Sequence, residues 1–166
     1  LFLIIMVIAL ALAGCGGGGA SSNGEKGGEN KESGGSSKQF IQIGSGGTAG
    51  TYYPLAGALA EIWKKNIEGV SPSVQSTGAS VANVNLLKDE KADVIFLQND
   101  IAYYAENGIE LFEGNAYEDM KGLACLYPET VQIITLKDKG IQTVSDLKGK
   151  RVAVGAAGSG TEANAR

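Results

Sequence analysis

Histidine is missing from this 166-residue chain, and cysteine occurs only twice, as Cys15 and Cys125. Histidine is the commonest general acid–base group and metal ligand near neutral pH, so its absence makes an enzyme or a metal site less expected. Cys15 stands just after the apolar N-terminal run 1–13, at a position typical of lipid attachment. This leaves Cys125 without a partner for a disulfide. Cys125 lies in the apolar segment 123–126, and we expect it to be a small buried side chain.

Clusters of Lys or Arg are also missing. The chain has 14 basic and 18 acidic residues, a formal net charge of −4. Proteins that bind nucleic acid neutralise phosphates with grouped cations, so we expect no nucleic-acid partner. The hydrophobic share of 43% is nonetheless enough for a packed core.

The N-terminal segment 1–14 has the pattern of a signal peptide. The apolar run 1–13 is shorter than the roughly 20 residues that span a bilayer. The segment Leu12-Ala13-Gly14-Cys15 covers the end of this run and the two residues after it. This order is typical of a lipobox, so we expect cleavage before Cys15, a lipid on its thiol, and an extracytoplasmic protein anchored to the cell membrane. The alternative is an ordinary secretory signal with an incidental cysteine.

The composition divides the rest of the chain. Residues 15–38 are rich in Gly and Ser with almost no apolar side chain, which predicts a disordered tether between membrane and domain, or a linker of no required length. The globular part is expected from residue 39 onward. No Met or basic n-region precedes the apolar run, and the last residues read as the first turns of a helix. We therefore expect the sequence to be a piece of a longer protein.

Residues 40–107 alternate between strand and helix patterns. Strands are predicted at 40–43, 74–76 and 94–97, and helices begin near Thr51, at Ser80 as N-cap, and at Asp100, also as N-cap. In the first helix, Leu55, Leu59, Ile62 and Trp63 share one face. The order βαβαβα with short connections predicts a parallel sheet with helices on both sides.

The second half repeats this pattern less regularly. Residues 123–136 read as a long extended segment interrupted by Tyr127-Pro128-Glu129, and residues 145–147 read as a short helical turn. A strand is predicted at 152–154, a glycine loop at 155–160, and a helix at Thr161.

Two glycine loops, 44–50 and 155–160, each connect a predicted strand to a helix. Gly44, Gly46 and Ala49 fit a dinucleotide fingerprint, but the second strand lacks the acidic residue that such a site uses for the ribose. Neither loop has the Lys of a P-loop. The exposed N–H groups of such loops suit a carboxylate or another small anion, although the glycines could serve only to make tight turns.

Polar side chains cluster after the predicted strands, where ligands collect in open α/β sheets. They are hydroxyls and amides with one carboxylate, which hold a small polar molecule but supply little acid–base chemistry. Tyr52 or its neighbour Tyr53 could instead be a core aromatic, and Thr77 and Ser80 could be caps only. These side chains are Thr48, Thr51, Tyr52, Tyr53, Gln75, Ser76, Thr77, Ser80, Gln98, Asn99, Asp100, Ser159 and Thr161.

Several stretches resemble the TAXI family of extracytoplasmic solute receptors, which serve TRAP transporters. They run in order through nearly the whole globular part. The longest and most specific is Ile43-Gly-Ser-Gly-Gly-Thr-Ala-Gly-Thr-Tyr-Tyr-Pro54. The others are Gln75-Ser-Thr-Gly78, Ala92-Asp-Val94 with Gln98, Leu126-Tyr-Pro-Glu129, Asp146-Leu-Lys-Gly-Lys-Arg-Val152 and Gly158-Ser-Gly-Thr-Glu162.

The resemblance implies a periplasmic binding protein of type II with two lobes, here 39–128 for lobe one and 129–166 for the crossing segment and the start of lobe two. It implies capture of a small organic anion, a glutamate-like amino acid or a dicarboxylate, for an ion-gradient-driven TRAP permease, without a cofactor or catalysis. Carried over by position, the ligand-binding residues are Thr48, Tyr52, Ser76, Thr77 and Gln98 from lobe one, and Ser159 and Thr161 from lobe two.

No arginine falls in a loop where it could clamp a carboxylate. We therefore expect neutral donors and backbone N–H groups to hold the anion. Three alternatives stay open. The protein could be the receptor of an ATP-driven uptake system, a ligand sensor for a membrane kinase, or an enzyme on a similar two-lobed fold.

Overall fold

A parallel three-stranded sheet organises the part of the chain that the computed structural model describes, residues 38–166. The predicted signal peptide, Cys15 and the tether up to residue 37 lie outside it. The strands are β1 (Gln39–Gly44), β2 (Val70–Gln75) and β3 (Val94–Ile95), in the spatial order β2-β1-β3. Gln39 pairs with Val70 at one end of β1, and Gly44 pairs with both Gln75 and Ile95 at the other. All three strands therefore end at the same edge of the sheet.

Helices connect the strands and follow the last one, as the alternating pattern predicts. They are α1 (Tyr52–Asn66), α2 (Ser80–Lys88) and α3 (Asn99–Asn107), and a short α4 (Gly160–Asn164) lies near the end of the chain. Pro54 sits in the first turn of α1, where a missing N–H is harmless. Gly108 ends α3 in the left-handed conformation, with φ 62°. None of the helices within residues 38–166 is both long and apolar enough to span a membrane.

Two hydrophobic clusters cover the two faces of the sheet. On one face, Ile43 and Phe96 pack with Ala56 and Ala60 of α1. On the other, Val84 of α2 packs with Ile101 and Ala105 of α3, and with Phe112 in a following 3₁₀ turn (Glu110–Phe112). The predicted α/β class with a parallel sheet and flanking helices is confirmed.

The face that α1 buries differs from the predicted one. Leu55, Leu59 and Trp63 pack beside the core, but the buried positions of the helix are Ala56 and Ala60, and Ile62 is 54% exposed. Small side chains let the helix backbone approach the sheet closely, so the closest contacts fall on the alanines rather than on the larger residues.

The bounds of β2 and the N-caps of two helices also differ from the predictions. The second strand was predicted at 74–76, but β2 covers Val70–Gln75 and includes Pro72, because an edge strand tolerates a residue without an N–H. Ser80 and Asp100 are not N-caps. They lie inside the first turns of α2 and α3, whose caps are Ala79 and Gln98.

The predicted extended segment 123–136 and the predicted strand 152–154 form no paired strand within the described residues. A strand needs a hydrogen-bonded neighbour, and none lies beside these segments within residues 38–166. Their apolar side chains are accordingly exposed, Ile134 by 86%. Cys125 is exposed too, so the prediction of a buried cysteine is wrong. The short turn near 145 is confirmed as a 3₁₀ helix (Val144–Leu147).

The buried amide of Asn83 joins the ends of β1 and β3. Its Nδ2 donates to the carbonyl oxygens of Gly44 (3.3 Å), Ser45 (2.6 Å) and Phe96 (2.7 Å). The side chain is 0% exposed. The carbonyl of Gly44 also accepts from the N–H of Phe96, and that of Ser45 also accepts from Thr77 Oγ1. Among the described residues, the amide is therefore the only donor to the carbonyl of Phe96 and a second donor to the other two.

Replacing Asn83 with Ala should therefore lower the free energy of unfolding by about 2 kcal/mol, because the carbonyl of Phe96 loses its donor and those of Gly44 and Ser45 each lose one of two. Asn83→Asp should cost more, since a carboxylate would face the same oxygens. Asn85→Ala, on the exposed side of α2, is the matched control and should stay within about 0.5 kcal/mol. Urea unfolding measures all three, and equal stabilities for Asn83→Ala and Asn85→Ala would contradict the assigned role.

Candidate functional site

A cleft of about 910 Å³ lies at the edge of the sheet where all three strands end. One wall is built by the loop after β1, by Ser80 at the start of α2, and by Gln98 after β3. The other is built by residues 127–135 and by segments between 141 and 165. This volume is in the range of pockets that enclose small molecules, and carboxyl ends of parallel strands are where such pockets occur.

Four of the seven predicted ligand-binding residues line this cleft: Tyr52, Gln98, Ser159 and Thr161. The structure brings them together from the start of α1, the position after β3 and the start of α4. Tyr52 and Gln98 follow strands, as the strand-end pattern predicts, whereas the strand predicted before Ser159 and Thr161 is not formed within the described residues. Their binding of a ligand stays a prediction, but their convergence on one cavity is observed.

The other three predicted residues, Thr48, Ser76 and Thr77, lie outside the cleft wall. Ser76 Oγ donates to the carbonyl of Gly46 at 3.0 Å, and Thr77 Oγ1 donates to the carbonyl of Ser45 at 3.1 Å. These two hydroxyls hold the backbone that leads into the first glycine loop, and Thr48 is exposed in the turn of that loop. Their predicted roles as ligand groups stay predictions.

The N-terminus of α2 is occupied by the chain itself. The N–H groups of Val81 and Ala82 donate to the carbonyl oxygen of Gly158 at 3.0 and 3.1 Å. Ser80 Oγ accepts from the N–H of Gln98 at 3.1 Å and is buried. These donors are thus used to join the second glycine loop and β3 to α2.

The second glycine loop fits against α2 because small residues face it. A Cβ on Gly78 would lie 2.9 Å from the carbonyl oxygen of Ala157. A Cβ on Gly160 would overlap Oε1 of Gln98, a buried atom with no hydrogen-bond partner among the described residues. Ser159 caps α4 by accepting from the N–H of Glu162 at 3.1 Å. The glycines therefore make the close approach of the two loops possible.

A carboxylate held by two phenols lies in the cleft, although the sequence patterns did not predict Glu129 as a site residue. Tyr52 donates to Glu129 Oε2 at 2.9 Å, and Tyr127 donates to Oε1 at 2.8 Å. The two tyrosine rings meet edge to face, with centroids 6.5 Å apart. The sequence signal was Tyr127-Pro128-Glu129, which predicted only the start of a crossing segment.

Both phenols are held in their protonated form. Burial, and next the hydrogen bond to Glu129, raise the pKa of Tyr127 to about 12. The same two causes raise the pKa of Tyr52 still further above its ordinary range. Both groups are therefore hydrogen-bond donors at any physiological pH.

Lys150 and Arg151 also line the cleft, so cationic side chains stand beside the neutral donors that were expected to hold an anion. Which of these groups hold it stays a prediction. Both residues stand at the start of a segment that was predicted as a strand. A strand pattern in the sequence does not show which cavity the residues at its start will line. Within residues 38–166, no group of three or more His, Cys, Asp or Glu side chains is placed to hold a metal ion. Chemically, the site offers phenols, hydroxyls, three amides, two cations and one carboxylate.

Gly160→Ala should lower the free energy of unfolding by about 1–3 kcal/mol, because the new methyl group would displace the Gln98 side chain, whose Oε1 is buried. In a Gln98→Ala background the same change should cost clearly less, since the obstructing atoms are gone. Gly57→Ala in α1, where a Cβ meets nothing within 4 Å, is the control and should be neutral or stabilising. Urea unfolding of the double-mutant cycle measures the coupling; equal costs in both backgrounds would refute this packing.

Tyr127 should make stability depend on alkaline pH. Its contribution is fully present below the ordinary tyrosine pKa of 10.0 and is lost as the pH rises through about 12. Glu129→Gln removes the carboxylate and should lower the pKa of Tyr127, whereas Glu118→Gln, an exposed control, should not. Tyrosinate absorbance during an alkaline titration measures the tyrosine pKa in both variants. An unchanged titration in Glu129→Gln would show that the phenol is not coupled to this carboxylate.

The family model for the NMT1-like family matches residues 43–166, which include the sheet from Ile43 onward and every wall of the cleft. This family comprises periplasmic solute-binding proteins, and the parallel α/β architecture is consistent with their fold. A binding-protein family also fits a protein that captures a small molecule for a transporter rather than converting it. Because the match takes in most of the chain, the protein belongs to the NMT1-like family.

Proposed function

We propose that the protein is an extracytoplasmic receptor that captures a small organic anion, a glutamate-like amino acid or a dicarboxylate, for an ion-gradient-driven TRAP permease. The observation that carries the proposal is the cleft at the ends of the strands, where Tyr52 and Gln98 face Ser159 and Thr161. Family membership supports the general role of solute binding. The permease and the ligand class extend that role to particular partners.

The cleft chemistry supports an anionic group on the ligand. Lys150 and Arg151 bring positive charge to one wall, and Thr161 adds a hydroxyl. On the opposite wall, Gly47 and Gly50 belong to a glycine loop that leads into the N-terminus of α1. A helix N-terminus favours an anion through its dipole, although the N–H of Gly50 already donates to the carbonyl of Gly47 at 2.8 Å.

The TRAP assignment is supported by the order and length of the stretches that resemble the TAXI family, above all 43–54. In the fold, that stretch comprises the end of β1, the first glycine loop and the start of α1. We also propose that a lipid on Cys15 anchors the protein to the membrane. The support for this is the lipobox pattern, which lies outside the described residues. Mass spectrometry of the membrane fraction would test it, since an acylated Cys15 carries the added mass of its lipid.

The sensor and the ATP-driven receptor use the same kind of cleft, so the cleft does not separate them from a TRAP receptor. Gene neighbours do: genes for multi-span permease subunits next to this one favour transport, and a membrane kinase gene favours a sensor.

A thermal-shift screen of the full-length protein carrying Cys15→Ser, with amino acids, dicarboxylates and nucleotides, tests the proposal. A bound solute at 100 times its Kd should stabilise the protein by about 2.7 kcal/mol. Stabilisation by glutamate or a dicarboxylate should be lost in Gln98→Ala and kept in Asn99→Ala, the neighbour outside the cleft. Thr48→Ala tests separately the predicted role of a residue outside the wall. Stabilisation by nucleotides alone would contradict the receptor proposal.

A further inference from the structure

We propose that Tyr52, Tyr127 and Glu129, here called the phenol–carboxylate cluster, form a subsite for a protonated amine of the ligand. This inference rests on the proposed receptor function and narrows it to a ligand that carries a cationic group. The cluster lies in the cleft, so a small solute there would meet it directly.

The cluster presents a fixed carboxylate. Each oxygen of Glu129 accepts one phenol O–H, Oε2 from Tyr52 and Oε1 from Tyr127. An ionised carboxylate has about four acceptor positions, so roughly half of this capacity is still free. Glu129 is exposed and lines the cleft, so its free acceptor positions are accessible to a ligand.

Within residues 38–166, the charge of Glu129 has no cationic partner of the chain. The ion pairs found there join Lys91 to Asp89 and Arg166 to Glu162, and neither involves Glu129. Two neutral donors orient the carboxylate but do not neutralise it. A ligand cation would supply the missing charge and form charge-assisted hydrogen bonds.

The aromatic surroundings favour the same occupant. Tyr52 contacts Tyr127 edge to face and also packs against Phe96, with ring centroids 5.6 Å apart. A compact ammonium group is attracted to the faces of such rings in addition to the carboxylate.

An anion fits the cluster poorly. It would lie beside the negative charge of Glu129, and both phenol O–H groups are already donating to that carboxylate. Lys150 and Arg151, which also line the cleft, offer an anionic group the cationic partners that the cluster lacks. The arrangement therefore favours a ligand with both an amine and an acid group over a plain dicarboxylate.

The test uses propylammonium chloride and sodium propionate as matched probes on the full-length protein with isotope-labelled tyrosine rings. Propylammonium should shift the NMR signals of Tyr52 and Tyr127 saturably, and propionate should not. Glu129→Gln should weaken propylammonium binding at least about tenfold, because a charged hydrogen bond is lost. Glu129→Asp, which keeps the charge, should retain part of it, and Glu118→Gln should leave it unchanged. Ring signals that follow propionate, or that ignore both probes, would overturn the subsite.

Thermal shifts with glutamate and with glutarate, its counterpart without the amine, separate this inference from the receptor proposal. Greater stabilisation by glutamate supports both. If propylammonium shifts the rings but neither solute stabilises the protein, the subsite stands and the receptor proposal loses support. If glutarate stabilises as well as glutamate and propylammonium leaves the rings unchanged, the receptor proposal stands and the subsite is refuted.

Discussion

The fold at the cleft depends on how the chain satisfies the backbone where the parallel strands end. At the ends of β1 and β3, the buried Asn83 amide donates to three backbone carbonyl oxygens. Gly44 leaves room for it, since a Cβ there would lie 3.2 Å from Asn83 Oδ1. With these ends fixed, the first glycine loop and Gln98 leave the sheet in defined directions and form one wall of the cleft.

The opposite wall is joined to the first by backbone and small residues rather than by a large apolar interface. The carbonyl of Gly158 caps α2, and Gly160 allows Gln98 to approach. The Tyr52–Glu129 hydrogen bond is a second link, between α1 and the segment after residue 126. Polar contacts of this kind exchange readily with water, so they suit a binding site in which a solute competes for some of the same donors.

Most of the sheet and half of the site follow from local sequence patterns. Alternation of strand and helix signals located β1 to α3, and the strand-end rule located Tyr52 and Gln98. The pattern failed where the outcome depends on neighbours: residues 123–136 and 152–154 look like strands, but pairing requires a partner strand. Glu129, Lys150 and Arg151 were missed for the same reason, because their segments are irregular and only the tertiary contacts direct them to the cleft.

Hydrogen–deuterium exchange of the full-length protein, with and without the solute that gives the largest thermal shift, tests most directly whether the two walls form one binding site. The account predicts slower exchange in peptides containing the first glycine loop, Gln98 and residues 158–161 together, with no change in residues 103–118. Protection confined to one wall, or located away from the cleft, would contradict it.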